Sequence, residues 1–500
     1  MPSIEHLETL SSDELKELLP TFRESDPREA IAILKLISDR ARQEEDFDGM
    51  LHWQGEIYKL AQDLEDSPNS ADALYHQGFA LTKLDRDLEA TSFYLSAKKI
   101  YEELLDSKSV IYCLYALVDN SIFISDKDSG LKFSLEALDL ARVTDDVYAV
   151  GDFALKAAEA FEAIGRTPLE DLTDDSYETA ITYAEEAYEN FLNVGEVERV
   201  IEALCEITHF LTVLGRYESA FERIVEAETR IADLESGPRA DSALLGRVFK
   251  FKGILQVNLG RASEAIEDFK KSIEHLPVEE GSYDIGVAYW QMADLLNDLD
   301  RNDEALEAIE KGMAITRRTD PLMYYRCMQL QVRILYEEDR EREALFVSRG
   351  AMLEYENSTN SEIPSDIYFA FIQNAALCLF DLERYEEMIQ VLNKVSEIRD
   401  YLIPINRSTR IDYLLSLALV YLQELEKAKG ILDALLDFDD LDLSDEDIGR
   451  AFILRSITRI STDKLGAKSD LERGTEILES LEGAGFVKAF LTDFPQLNDL

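Results

Sequence analysis

One spacing recurs along this chain of 500 residues and restricts what it can fold into. Gly78 is followed twelve positions later by Ala90, with Tyr94 four further on and Ala97 three beyond that. The frame returns at Gly253, Ala265, Phe269 and Ser272, where Pro277 closes the unit, and at Ala293, Ala305, Ile309 and Gly312. Looser copies run through Val118, Gly130, Ser134 and Ala137, and through Thr208, Ala220, Ile224 and Ala227. Further copies are Val332, Ala344, Ser348 and Ala351; Ala376, Met388, Leu392 and Val395; and Ser416, Ala428, Leu432 and Leu435. Self-similarity in a fixed frame is the mark of a repeat architecture.

The frame has a physical reading. Small residues let two antiparallel helices approach closely, and larger ones fill the space to the next pair. Twelve residues suffice to finish one helix, turn and enter the second. Leu214-Gly215-Arg216-Tyr217, Leu259-Gly260-Arg261 and Leu299-Asp300-Arg301-Asn302 read as those turns. Glycine supplies a left-handed helix end, and Asp or Asn can cap the next helix. Only 22 Gly and 11 Pro occur, which favours long helices over a turn-rich all-β design.

This small–small–aromatic–small frame resembles the tetratricopeptide (TPR) repeat over most of the chain, best at Gly253 to Pro277. Successive second-helix alanines, Ala220, Ala265, Ala305 and Ala344, lie nearer 40 residues apart than 34. That longer unit is similar to the extended repeats of kinesin light chains and of bacterial peptide-sensing regulators. The resemblance implies an all-α fold, an α-solenoid of antiparallel helix pairs forming a right-handed superhelix. The first helix of each pair would line its concave face.

Helix pairs are expected near 26–66, 70–104, 106–142, 146–194, 197–235, 240–277, 283–317, 321–357, 364–399, 407–437 and 445–483. A short capping helix, started by Ser12 and Asp13, fills residues 1–25, and residues 484–500 form a capping tail. Gly165–Ser176 reads as a longer loop, and no interdomain linker is evident.

The net charge is −51, from 102 acids against 51 bases. Such a surface repels nucleic acid and anionic membrane and attracts a basic partner over a range that salt shortens. Cys113, Cys205, Cys327 and Cys378 lie far apart in apolar helical patterns, so neither a zinc site nor a disulfide framework is suggested. No basic-then-apolar leader opens the chain, and the apolar run near Leu414–Leu422 is too short to span a bilayer. A cytoplasmic location is expected.

Catalytic and metal-binding patterns are not found. The histidines, His6, His52, His76, His209 and His275, form no HExxH and pair with no cysteine at ligand spacing. There is no phosphate-binding glycine loop and no GxSxG elbow. The acidic run Asp437–Asp447 lacks the Gly and Glu that a calcium loop needs at its sixth and twelfth positions, and reads as a solvated linker. No cofactor and no enzyme activity are expected.

Against the negative background stands Arg317–Arg349, with Arg317, Arg318, Arg326, Arg333, Arg340, Arg342 and Arg349. Arg326 and Arg333 share a helix face with Gln329 between them, and the next first helix offers Gln373 and Asn374. Planar guanidinium forks suit a carboxylate, so this section is a candidate grip on an acidic side chain or chain terminus. The same frame places Tyr75, Phe79, Tyr115, Lys250, Trp290 and Tyr413 on first helices, as anchors for a bound segment. The family's two-carboxylate clamp of Lys and Asn is not reproduced.

The expected function is therefore a non-catalytic scaffold that binds a basic or extended partner protein or peptide in an acidic groove. Two alternatives remain open at the sequence level. One is a peptide-responsive sensor; the other is an acidic mimic of nucleic acid that engages a DNA- or RNA-binding protein.

Overall fold

Aspartates set the starts of the helices. Asp26, Asp46, Asp66, Asp106, Asp126 and Asp146 each accept a hydrogen bond from the backbone N–H three residues on, those of Glu29, Gly49, Asn69, Ser109, Ser129 and Ala149. Each carboxylate satisfies a donor that the helix start leaves open and faces the positive end of the dipole. These caps recur at multiples of 20 residues, because each helix here runs 17 residues and a three-residue turn follows.

The computed structural model describes residues 7, 9–123, 126–165, 174–235, 242–277, 282–357, 365–398, 405–437, 444–481 and 484–500. Among them no strand occurs. A lead helix α1 (Ser12–Ser25) precedes the pairs α2 (Pro27–Gln43) and α3 (Phe47–Asp63), α4 (Ser67–Lys83) and α5 (Asp87–Glu103), and α6 (Ser107–Phe123) and α7 (Lys127–Val143). There follow the pairs α8 (Val147–Gly165) and α9 (Asp174–Val194), and α10 (Val197–Val213) and α11 (Tyr217–Glu235), then the single helices α12 (Ser242–Asn258) and α13 (Ala262–His275). Next come α14 (Ser282–Asp298) and α15 (Asn302–Thr319), α16 (Pro321–Glu337) and α17 (Glu341–Asn357), and α18 (Ser365–Asp381) and α19 (Tyr385–Ile398). The last pairs are α20 (Ile405–Tyr421) with α21 (Leu425–Leu436) and α22 (Asp445–Arg459) with α23 (Lys464–Ser480). Helix α24 (Ala484–Asp493) and a 3₁₀ turn (Pro495–Asp499) end the chain.

The chain divides into two units, Met1–Gly260 and Arg261–Leu500. Within each unit every helix packs on the next in sequence, so each is an α-solenoid of TPR-like antiparallel pairs. Successive first helices also touch, as α4 touches α6 and α14 touches α16, whereas successive second helices lie farther apart. Each unit therefore has a close-packed first-helix face and an opposite second-helix face. On the latter, long side chains span the gap between repeats: Lys98 to Glu136 at 2.6 Å and Arg142 to Glu186 at 2.7 Å in the first unit, Arg349 to Glu387 at 2.8 Å in the second.

The cores confirm the role of the small residues. Ala90 and Ala97 are fully buried, and Tyr94 closes over Gly78. A Cβ on Gly78 would sit 2.8 Å from a Tyr94 ring carbon. In the second unit a Cβ on Gly474 would lie 2.6 Å from the Gly449 carbonyl oxygen, so α22 and α23 meet there backbone to backbone.

Several local expectations are corrected. The lead helix is capped by Ser11, not by Ser12 and Asp13: Ser11 N–H donates to Glu14 at 2.7 Å and Ser11 Oγ accepts from Glu14 N–H, a reciprocal capping box. Asp13 lies in the first turn instead. Asp300 is no cap either; it takes the left-handed turn position at φ 57°, and Arg301 precedes α15 without a side-chain cap bond. Of the expected loop at Gly165–Ser176, Gly165 and Asp174–Ser176 are helical, and residues 166–173 lie outside the described residues. The acidic run is likewise divided. Asp439, Asp440 and Asp442 lie outside the described residues, whereas Asp445, Glu446 and Asp447 form the first turn of α22, where Ser444 caps Asp447 N–H.

Candidate functional site

On the first-helix face of the first unit, tyrosines recur from repeat to repeat. Tyr75 comes from α4, Tyr112 and Tyr115 from α6, and Tyr148 from α8. Tyr75 and Tyr115 are half-buried, each with a ring against a neighbour: Tyr75 lies 5.6 Å from Tyr94 and Tyr115 lies 4.1 Å from Phe153. Burial pushes both phenols above their ordinary range, so they stay neutral donors. Tyr112 and Tyr148 are 50% and 44% exposed, although Tyr148 rests edge-on against Phe191 at 5.8 Å. Rings braced on one side and open on the other can take up contact area with little entropy to lose.

Phe79, two residues before the last buried leucine of α4, Leu81, is half-buried beneath two cations. The Arg42 guanidinium lies 4.8 Å and the Lys83 Nζ 5.7 Å from its ring centroid. Neither cation has a carboxylate partner among the described residues. Other bases of this face behave differently: Lys35 reaches Asp72 at 3.1 Å, Lys156 reaches Asp119 at 2.7 Å, and Arg247 reaches Glu202 at 2.6 Å. Arg199 bridges Asp152 and Glu202 and lies over the Phe191 ring at 5.0 Å. Asp72, Asp119, Asp152 and Glu202 are thus tied to bases on the same or adjacent first helices.

In the second unit the equivalent register carries Trp290, Gln329 and Gln373, all half-buried, with Asn374 half-buried beside Gln373. Arg326 is exposed and forms no ion pair among the described residues. Arg333 is held by Asp294 of α14, with Glu337 3.9 Å away, so the expected pair of open forks reduces to Arg326 alone. Arg317, Arg340 and Arg349 are also paired, with Glu354 at 3.0 Å, Glu343 at 2.8 Å and Glu387 at 2.8 Å.

Two expected anchors are corrected. Lys250 is only 7% exposed, with its Nζ 4.1 Å from the Phe251 ring centroid, and Tyr413 is 4% exposed, its phenol pushed up to about 12 by burial. Both share the register of Tyr75, yet the neighbouring helices close over them. Conversely, Tyr112 and Tyr148 were missed. Tyr112 precedes Tyr115 by three, one helical turn on the same face, and that spacing was the available signal.

Burial pushes Cys113, Cys205, Cys327 and Cys378 up to about 12, so all four are held as thiols. Among the described residues no group of His, Cys, Asp and Glu is arranged to hold a metal, and no helix is long and apolar enough to cross a membrane.

No family model matches the chain, and no curated protein does. Solved structures of low similarity match. The apo form of the quorum sensor NprR from B. thuringiensis is 14% identical, covers 85% of this chain and 97% of its own, and superimposes with a TM-score of 0.40. A Rap protein complexed with Competence and Sporulation Factor is 15% identical over 74% of this chain and 99% of its own, at 0.41. The APC/C hetero-tetramer Cut9–Hcn1 is 13% identical over 97% and 100%, at 0.34. Likeness at this level says nothing of function.

Proposed function

We propose that this chain is a non-catalytic protein-interaction scaffold of the long-repeat TPR type, which takes an extended segment of a partner protein across Tyr75, Tyr112, Tyr115 and Tyr148. The observation that carries this is the set of tyrosines on the first helices α4, α6 and α8, with Tyr75, Tyr115 and Tyr148 braced against neighbouring rings and Tyr112 and Tyr148 substantially exposed. Such rings supply large contacts at low entropic cost, and a few of them can dominate an interface. The net charge of −51 acts at longer range. It speeds encounter with a basic partner and disfavours nucleic acid, while the local contacts set the lifetime of the complex. The reading needs no metal and no cofactor. Four free, buried thiols go with a reducing, cytoplasmic setting.

The test is affinity purification of the tagged chain from its own lysate at low and high salt, beside a Tyr112→Ala/Tyr148→Ala variant. Both positions are substantially exposed, so the variant should keep its melting behaviour to within about 0.5 kcal/mol. A basic protein retained by the unaltered chain at low salt, and depleted at least tenfold by the variant, is the expected result. Equal retention by both chains would overturn the proposed face.

A further inference from the structure

The last seventeen residues fold back on an aromatic platform. Tyr421, at the end of α20, is ringed by aromatic side chains. Phe380 of α18 meets it edge-on at 5.1 Å, and Tyr385 of α19 stacks on it at 5.1 Å. Phe494 and Phe490, from the C-terminal segment, approach it at 5.3 Å and 6.5 Å and stack on each other at 5.8 Å. The Tyr421 hydroxyl donates to the Asp493 carboxylate at 2.8 Å. Val487, Phe490, Phe494 and Leu497 are all buried.

This placement differs from that of a plain end cap. The sequence suggests a tail over the last exposed core, yet Phe490, Asp493 and Phe494 seat on Tyr421, in the pair before the last one. The segment is also weakly self-supporting. Helix α24 is ten residues long, shorter than a helix that persists alone in water, so its order depends on the platform. The entropy of ordering the segment opposes the burial of its four apolar anchors. On the platform side, Phe380, Tyr385 and Tyr421 belong to the solenoid and are held by their own helices.

We propose that the Phe380–Tyr385–Tyr421 platform is an exchangeable docking site, and that the C-terminal segment is its tethered resident. The partner it fits is a segment with aromatic rings at i and i+4, a carboxylate at i+3 where its helix ends, and an apolar residue at i+7 in a following turn, the pattern of Phe490, Asp493, Phe494 and Leu497. The resident acts as a gate: an external segment gains the site only by displacing it, and its release exposes the platform. The site lies in the second unit and is independent of the tyrosine row of the first.

The probe is a fluorescein-labelled synthetic peptide of residues 484–500, titrated into the full chain and into its Phe490→Ala/Phe494→Ala variant. The peptide should bind the variant at least tenfold more tightly than the unaltered chain, and adding Tyr421→Ala should abolish that binding. Failure to bind a variant that retains its helicity, or equal affinity for both chains, would overturn the proposal. A second measurement avoids altered chains. Saturating heavy-isotope peptide, distinguishable by mass, should accelerate amide exchange across the unaltered chain's own residues 484–500 by at least tenfold. Unchanged exchange would show a fixed cap and overturn the gate.

Discussion

The turn residues carry an unusual choice. The left-handed position that closes a helix is glycine at Gly195, Gly215 and Gly260, but elsewhere it is Glu45, Glu65, Asp85, Leu105, Asp145, Asp300, Asp339, Glu383 or Gln423. A side chain in that conformation costs about 1 kcal/mol or more, and a short acid offsets part of it through local hydrogen bonds. Leu105 has no such offset: its φ is 57° and it is 88% exposed. Leu105→Gly should therefore raise stability by roughly 0.5–1 kcal/mol, read as a higher melting temperature. The opposite extreme is the Arg455 guanidinium, buried and doubly bonded to Asp470 at 2.7 Å and 3.0 Å. Asp470→Ala leaves that buried charge with only Asp433, 3.8 Å away, removes one of the two carboxylates held by Arg459, and should cost about 3 kcal/mol, seen as faster amide exchange in α22 and α23. Glycine turns were legible in the sequence because the residue type announces the conformation. Of the acidic turns only Leu299-Asp300-Arg301-Asn302 was legible, since acids make up so much of the chain that no single one stands out; the 20-residue recurrence of capping aspartates marks several of the others.

Helices show the same division between what a pattern can and cannot say. The twelve-residue offset located the pairs because it reports close approach of two backbones, as at Gly78 and Tyr94. Glycines in the same type of helix nevertheless differ sharply. Gly474→Ala would drive a Cβ to 2.6 Å from backbone oxygen and should cost about 1–3 kcal/mol. Gly350→Ala, where a Cβ meets nothing, should instead stabilise α17 by roughly 0.5–1 kcal/mol. Urea midpoints of the two variants should move in opposite directions. The candidate site was half legible for a related reason. Register alone put Tyr75, Tyr115, Trp290, Lys250 and Tyr413 on one face of their helices. Whether a side chain there stays open depends on how closely the other helices of its own unit approach. Lys250 and Tyr413 are covered, and no single-helix pattern carries that information.

For the whole molecule the dominant quantity is charge. With a net charge of −51, the acids left over from ion pairing repel one another throughout the chain. Salt should therefore stabilise this protein: raising it from about 10 mM to about 1 M shortens the screening length from roughly 30 Å to roughly 3 Å and should raise the melting temperature. A falling melting temperature would mean that the ladder of inter-repeat ion pairs outweighs the repulsion. The same charge makes the proposed scaffold selective at a distance, while the tyrosines of the first unit hold what arrives. The most direct measurement is photo-crosslinking in the native lysate, with benzoylphenylalanine placed at Tyr112 on a first helix or at the exposed Leu88 on the second helix α5. The account predicts that a partner protein is captured from Tyr112 and not from Leu88. Capture of the same protein from Leu88, with none from Tyr112, would contradict it.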